Sequence, residues 1–517
     1  MKELVYHRIL LPAVEHNADR RAFFDGAYEA TFGEHLDRVG RVSSALRDLG
    51  VAADDRFAVM ALNGHEFLEC YHAAFLGAGV INPLNLRLAP KELEYILGDS
   101  GTKVCFADQF FAPVIEQVRG ATGIEHVVMI GAGDGPHDVR YDDLLAASAA
   151  KIPDEPEEDD PVVLMYTGGT TGLPKGVLLN QRAEMLNLYH VLHVWRFGAD
   201  DVFLHQTPMF HAASMGGMLG VPGRGGTSVF LSLFDPARTL ELCERYGVTQ
   251  TVMVPTMIGM LLDHPEFRPE RLATLRMLTY GASPMPAALL DRLLALFPDL
   301  DIFQGYGMTE SSAVLTALGP DEHRAGGPRL RSAGRPLPGI ALTIQDPMGE
   351  VLPPGETGEV CARGGNFMTE YWRQPEATAD AFRGGWYHSG DAGYLDDEGY
   401  LFLVDRVKDM IVTGGENVYS IEVENAIASH PAVAQVAVIG VPSEKWGEAV
   451  HAVVVTHAGA TVTEVEIMEH ARRSIAGYKV PKAVEIRTEA LPLSGAMKVL
   501  KRELRAPYWE GHDRGVT

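Results

Sequence analysis

The chain has 517 residues, of which 46% are hydrophobic and 22% charged. At ~150 residues per domain that length is a prior for roughly three compact units or one large domain plus smaller ones, and the composition lets the chain bury a large core, which excludes a small module or a mainly disordered chain. With 44 Lys+Arg against 69 Asp+Glu the net charge is −25, which repels phosphate backbones and anionic lipid and argues against a nucleic-acid partner.

The opening residues MKELVYHRILLPAVEHNADRR hold an apolar run of about six before Glu15, too short for a secretory h-region. No stretch approaches the ~18 apolar residues of a membrane span. Cys70, Cys105, Cys243 and Cys361 form no CxxC pair and lack a histidine at zinc-finger spacing, so they read as reduced, mostly buried thiols. A cytoplasmic enzyme without integral membrane association is expected.

Leu36, Val39, Val42, Leu46 and Leu49 recur at helical spacing before Gly50, and 57–62 reads as a buried strand. The same alternation returns near 248–262, which predicts an α/β architecture. The acidic, proline-rich stretch 151–161 predicts an exposed connector leading into an apolar strand at 162–166. From 346 to 403 short strands separated by Gly and Pro turns predict a small β-rich unit. Alternation then resumes, with a helix at 420–429, strands at 433–441 and 449–455, and a helix at 465–475. A domain boundary is expected at about Lys408, dividing 1–407 from 408–517.

The strongest chemical signal is YTGGTTGLPKG at 166–176, a strand followed by a loop of glycines and hydroxyls that ends in a lysine. Glycines turn backbone N–H groups toward oxygen, threonines add hydroxyl donors and Lys175 adds a point charge, a composition suited to polyphosphate. Lys175 is preceded by Pro174 and followed by Gly176, so the G-x-x-x-x-G-K-[ST] loop of nucleotide triphosphatases does not fit. GAGDG at 131–135 lacks the helix and spacing of a dinucleotide fingerprint, and His65, Glu66 and His72 miss HExxH spacing; both read as structural.

YTGGTTGLPKG resembles the phosphate loop of the adenylate-forming superfamily, which includes acyl-CoA synthetases, beetle luciferases and peptide-synthetase adenylation domains. Further motifs of that superfamily follow in order, and the resemblance runs from about Phe32 to Arg502. It implies ATP contacts at Thr167, Gly168, Gly169, Thr170, Thr171 and Lys175, with Gly168 standing where the loop commonly carries Ser. QGYGMTE at 304–310 is similar to the motif in which Tyr306 would stack on adenine, Thr309 contact the α-phosphate and Glu310 hold Mg²⁺. Those residue types suit the tasks, because an aromatic face recognises a purine and a carboxylate holds a hard cation.

By the same resemblance, Asp391 in YHSGD would accept both ribose hydroxyls, Arg406 in DRVKD would lie near the ribose, and Lys408 would be the hinge of a mobile C-terminal domain. GGENVYS at 414–420 resembles the loop that lines the pantetheine tunnel in a second pose, through Gly414, Gly415 and Glu416; Ser420 stands where relatives often have Pro. LSGAMK at 493–498 resembles the terminal adenylation-lysine motif, which usually ends Ser-Gly-Lys. Lys498 is the match, and Ala496 and Met497 depart from the pattern.

PMFH at 208–211 is similar to the segment lining the site near the reacting carboxylate, making His211 a gate or carboxylate contact rather than a general base. The small residues Ala212, Ala213, Gly216 and Gly217, with Met218, suit an apolar acyl pocket or the packing of a helix on a sheet. PMFHAAS has no aspartate to bind a substrate amine, which disfavours an amino acid. Gly281, Ala282, Ser283 and Gly307 would border the acyl pocket, with Ala282 leaving fatty and aryl acids open.

The resemblance implies a large N-terminal domain of two α/β subdomains and a small β-rich subdomain, with a small mobile α+β C-terminal domain. It implies an AMP-forming carboxylic acid–CoA ligase of fatty acid metabolism, with Mg²⁺ as cofactor and ATP and CoA as co-substrates. The expected acid is a medium- or long-chain fatty acid, with an aryl or phenylpropanoid acid as the alternative. A carrier-protein ligase and a luciferase-like oxygenase are rivals within the superfamily, and a non-catalytic nucleotide or acyl-AMP sensor is the rival from another class. A homodimer is among the expected assemblies.

Overall fold

The computed structural model describes residues 3–167, 173–406, 409–413, 416–443, 445–457, 459–495 and 497–510, with backbone alone at 405, 406 and 417. The helical period at 36–49 has a defined start. Thr31 accepts the Glu34 amide at 3.3 Å while the Glu34 carboxylate accepts the Thr31 amide at 2.8 Å, a capping box that opens helix Phe32–Asp48. Its apolar stripe of Phe32, Val39, Val42 and Leu46 joins Phe57 and Val59 of strand Arg56–Met60 in one buried cluster.

Repeated strand–helix alternation builds two large sheets. One is nine-stranded, with Asp301–Tyr306, Met277–Gly281, Gln250–Met253, Val202–His205, Thr227–Phe230 and Arg21–Asp25 parallel along its middle. The other is eight-stranded, with Pro161–Thr167, Val80–Pro83, Arg56–Met60, Val104–Asp108 and His126–Ile130 as its parallel core. Apolar strands covered by helices on both faces favour this arrangement. Parallel strands end at a common edge; the loops at 61–64 and 206–211, one from each sheet, meet through Asn63, and Gly281 and Gly305 lie side by side at the end of their strands. Such carboxyl edges are the usual binding crevices of α/β sheets.

The β-rich unit is a four-stranded antiparallel sheet of Ala341–Gln345, Gly358–Arg363, Tyr387–Leu395 and Leu401–Arg406. It begins upstream of the expected 346, because ALTIQ forms a strand without the turn residues that signalled the unit. It also carries helix Pro375–Ala381 within it. The C-terminal unit is a five-stranded sheet with helices Ser420–Ala428 and Glu464–Arg472 on it. Its long hairpin pairs Val433–Ser443 with Gly447–Thr456, and Ala483–Arg487 adds in parallel. All four cysteines are free and buried. No helix among the described residues is long and apolar enough to cross a membrane.

Candidate active site

The loop carrying His211 is fixed from the other sheet. Asn63, just past strand Arg56–Met60, donates from Nδ2 to the carbonyls of Thr207 (3.0 Å) and Leu231 (3.1 Å) and accepts the Met209 amide on Oδ1 at 2.8 Å, while its own amide reaches Ser232 O. One buried side chain thereby joins the two sheets and sets the course of 207–211. At the end of that course, His211 Nδ1 accepts the Ala213 amide at 3.2 Å and caps a short 3-10 turn. The ring proton therefore sits on Nε2. Desolvation, and then the positive charge of Lys498, pushes the His211 pKa down to about 3, so the ring is neutral at physiological pH.

Strand Asp301–Tyr306 delivers the second group. The Tyr306 hydroxyl donates to Asp391 Oδ2 at 2.8 Å, joining the nine-stranded sheet to the small β unit. Asp391 pairs across the strands with Arg406, whose side chain lies outside the described residues. Thr309 and Glu310 follow on a 3-10 turn. Tyr371 donates to Glu310 Oε1 at 2.9 Å, and its ring lies 4.7 Å from Lys175 Nζ in a cation–π contact.

Behind this turn lies Glu184, fully buried on helix Gln181–Trp195. Desolvation raises its pKa to about 8, and the Ser312 hydroxyl opposes that rise. The hydroxyl donates to the Asn366 carbonyl at 2.9 Å, and among the described residues neither Glu184 oxygen has a hydrogen-bond partner of normal geometry. Ser312 and Ala313 take positive φ of 55° and 105°, and Asn366 Nδ2 ties down the carbonyls of Ser311 and Val314.

Two glycines of the expected acyl rim are needed for close approach. A Cβ at Gly281 would collide with the Gly305 carbonyl, and one at Gly307 with the Ala313 carbonyl. Ala282 adopts a left-handed φ of 65° at the same edge, next to Ser283. The glycines at 216 and 217 serve packing instead: a Cβ at Gly216 would come within 2.7 Å of Trp195 on helix Gln181–Trp195, and one at Gly217 within 2.7 Å of Phe203 on strand Val202–His205.

The C-terminal unit reaches into this cleft. The Arg87 guanidinium donates to the Leu493 carbonyl, and a side chain at Gly495 would collide with the Asn85 amide and come 3.0 Å from Phe210. Lys498 is close enough to His211 to depress its pKa. Ser420, at the first turn of its helix, accepts Lys501 Nζ at 2.6 Å, so this position is tied by a side chain where a proline ring would have stiffened it. Tyr371, Asn63, Asn85, Arg87 and Glu184 were not singled out in the sequence. Residues 168–171, Lys408, Gly414 and Gly415 lie outside the described residues; Glu416 opens strand Glu416–Val418 of the C-terminal sheet.

Two α/β sheets, a β unit and a C-terminal α+β unit meeting over one cleft are the architecture of an adenylate-forming enzyme. Residues 12–372 match the AMP-binding enzyme family and 422–498 the AMP-binding enzyme C-terminal domain. The chain belongs to this family, among the AMP-forming acid–CoA ligases, and acts as an acyl- or aryl-CoA ligase through an adenylate. It is 39% identical over 486 residues to a feruloyl-CoA synthase of Amycolatopsis sp, covering 93% of this chain and 95% of that one. It is 37% identical over 485 residues to a long-chain-fatty-acid–CoA ligase of Mycobacterium tuberculosis, covering 92% and 93%. ATP-bound MatB from Rhodopseudomonas palustris superposes with a TM-score of 0.90 at 31% identity, covering 99% of this chain and all of that one. The apo form of MatB gives 0.77 at 30% identity, covering 99% and 100%.

Proposed function

We propose that this cleft joins a carboxylic acid to AMP with release of pyrophosphate and then passes the acyl group to the thiol of CoA. The observation that carries this reading is the docking of the loop that bears Lys498 on the large unit, through Arg87 to the Leu493 carbonyl and Gly495 against Asn85 and Phe210, the residue before His211. In the first step a substrate carboxylate oxygen attacks the α-phosphorus and pyrophosphate leaves. Lys498 and Thr309 stabilise the charge gathering on the α-phosphate, and Thr167, Gly168, Gly169, Thr170, Thr171 and Lys175 hold the departing phosphates. Tyr306 stacks on adenine, while Asp391 and Arg406 hold the ribose. The neutral His211, with its proton on Nε2, donates toward the substrate carboxylate.

The Glu310 carboxylate, oriented by the Tyr371 hydroxyl, is a hard oxygen donor of the kind that would hold Mg²⁺. Bound there, Mg²⁺ would neutralise phosphate charge. In the second step the CoA sulfur attacks the acyl carbon and AMP leaves. A turn about Lys408 withdraws Lys498 and brings in Gly414, Gly415 and Glu416. Two observations support assigning the described pose to the first step: the docking of 493–498 against Asn85, Arg87 and Phe210, and the higher likeness to ATP-bound than to apo MatB.

The acid we propose is a medium- or long-chain fatty acid, supported by the Mycobacterium tuberculosis relative. An aryl or phenylpropanoid acid is the second reading, favoured by the 39% identity to the feruloyl-CoA synthase. Pyrophosphate release from Mg-ATP, measured over short- to long-chain fatty acids, benzoates and cinnamates with and without CoA, tests both. Thioester formation is expected with one of these classes. Release without thioester would move the acceptor to a carrier protein, and ATP binding without release on any acid would refute the ligase reading.

A further inference from the structure

The loop that presents Lys498 carries an unusual neighbour. Met497 has a φ of 61°, in the left-handed region that glycine occupies freely and other residues rarely adopt. It stands where the resembling motif has glycine. The loop is tightly held: the Ser494 amide donates to the Lys498 carbonyl at 2.7 Å, the Met497 amide to the Ser494 carbonyl at 2.9 Å, and the Lys498 amide to Ser494 Oγ at 3.1 Å. A bridge between Leu493 and Val499 closes its base. The directions of the side chains at 497 and 498 are thus set together.

Met497 does not return to its own unit. It packs against the apolar cluster that contains Leu278, Tyr280 and Leu290 of the large unit, where Ala282 and Met285 also pack. Met497 is the single residue of the C-terminal unit in that cluster among the described residues. The other docking contacts of this loop, Arg87 to the Leu493 carbonyl and Gly495 in the slot between Asn85 and Phe210, are polar or steric. A methionine is well suited to fill an irregular apolar gap at such a junction, because its unbranched chain adapts to the space available.

We propose that Met497 is an apolar pin, a positioning residue that acts through Lys498. It holds the C-terminal unit in the adenylating pose and must withdraw before CoA can react. The inference rests on the two-pose reading given above. It accounts for a residue with a side chain at a left-handed position: partial burial of the side chain against the cluster offsets the backbone cost. The pin biases the two-pose equilibrium toward the first half-reaction, since a contact made in one pose alone shifts the population by its own free energy.

The test compares Met497→Ala, Met497→Gly and Met497→Leu in the full chain. Pyrophosphate release from acid and Mg-ATP, and thioester formation from supplied acyl-AMP and CoA, are measured separately. Loss of the pin in the Ala and Gly variants is expected to lower kcat for pyrophosphate release about tenfold, equivalent to ~1.4 kcal/mol, with KM for acid and ATP held within about twofold. Thioester formation from acyl-AMP is expected to be retained or faster, and Leu, which keeps an apolar chain, restores the first half-reaction. Gly relieves the backbone and Ala does not, so equal slowing of the two assigns the loss to the side chain. Slowing in the Leu variant equal to that in Ala, wild-type rates in Ala and Gly, or parallel loss of both half-reactions would overturn the pin. A wild-type enzyme releasing no pyrophosphate with any acid would overturn the ligase reading and the pin with it, a result distinct from these.

Discussion

Glu184→Met is expected to make the protein progressively more stable than wild type as pH rises. The carboxyl is fully buried, neither oxygen has a hydrogen-bond partner among the described residues, and its pKa is raised from 4.5 to about 8 by desolvation. Between those values the folded chain keeps the proton and the unfolded chain has lost it. The folded state binds more protons, so the contribution to stability falls as pH rises from about 4.5 to about 8 and is level above. At 1.36 kcal/mol per pH unit the full gap corresponds to ~5 kcal/mol. Methionine has a similar reach and no charge to desolvate, so the variant escapes this loss. Paired thermal melts of wild type and variant over about pH 5 to 9 should show a melting-temperature difference that grows by several degrees and then levels. An offset at low pH reports packing, and only the growth reports the carboxylate. A difference that stays constant across the range would refute a neutral, buried Glu184.

Asn63→Ala strands the Met209 amide and the carbonyls of Thr207 and Leu231, and at ~1–3 kcal/mol per buried unpaired group it should cost ~3 kcal/mol or more of stability in denaturant melts. Because the loop to His211 loses its anchor, kcat/KM for the acid should fall further than ATP affinity. Tyr371→Phe removes one hydrogen bond to the Glu310 carboxylate; such bonds to charged groups are worth ~1.5–3 kcal/mol, so the apparent KM for Mg-ATP should rise about tenfold while the melting temperature stays near wild type. With its pKa down at about 3, His211 stays neutral, and the pH profiles of pyrophosphate release for wild type and His211→Asn should share one shape between about pH 5.5 and 7.5. An acid limb present only in the wild type would show that the ring titrates there.

Local patterns carried most of the fold. The period at 36–49 and the capping pair Thr31 and Glu34 describe one helix from sequence neighbours alone, and the apolar runs at 57–62 and 162–166 became central strands because strands buried on both faces need little more than continuity. The β unit was legible from its turns, except for its first strand, which has none. The small residues at 216 and 217 left pocket and packing open, and only the neighbouring Trp195 and Phe203 decide for packing. In the cleft, residue types named the chemistry, but the contacts that hold it are long-range. Tyr371 meets Glu310 across 61 positions from a two-residue strand too short to show any period. Asn63 reaches Thr207 across 144 positions, and an asparagine after a strand ordinarily reads as a turn. Arg87 and Leu493 are 406 positions apart, in units whose docking no local pattern encodes.

The most direct test of the account separates the two half-reactions in Lys498→Ala. In the two-pose account proposed above, the loop docked through Arg87, Asn85 and Phe210 presents Lys498 for adenylation and withdraws it for thioester formation. The variant should lose pyrophosphate release from acid and Mg-ATP while still making thioester from supplied acyl-AMP and CoA. Equal loss of both half-reactions would contradict the account.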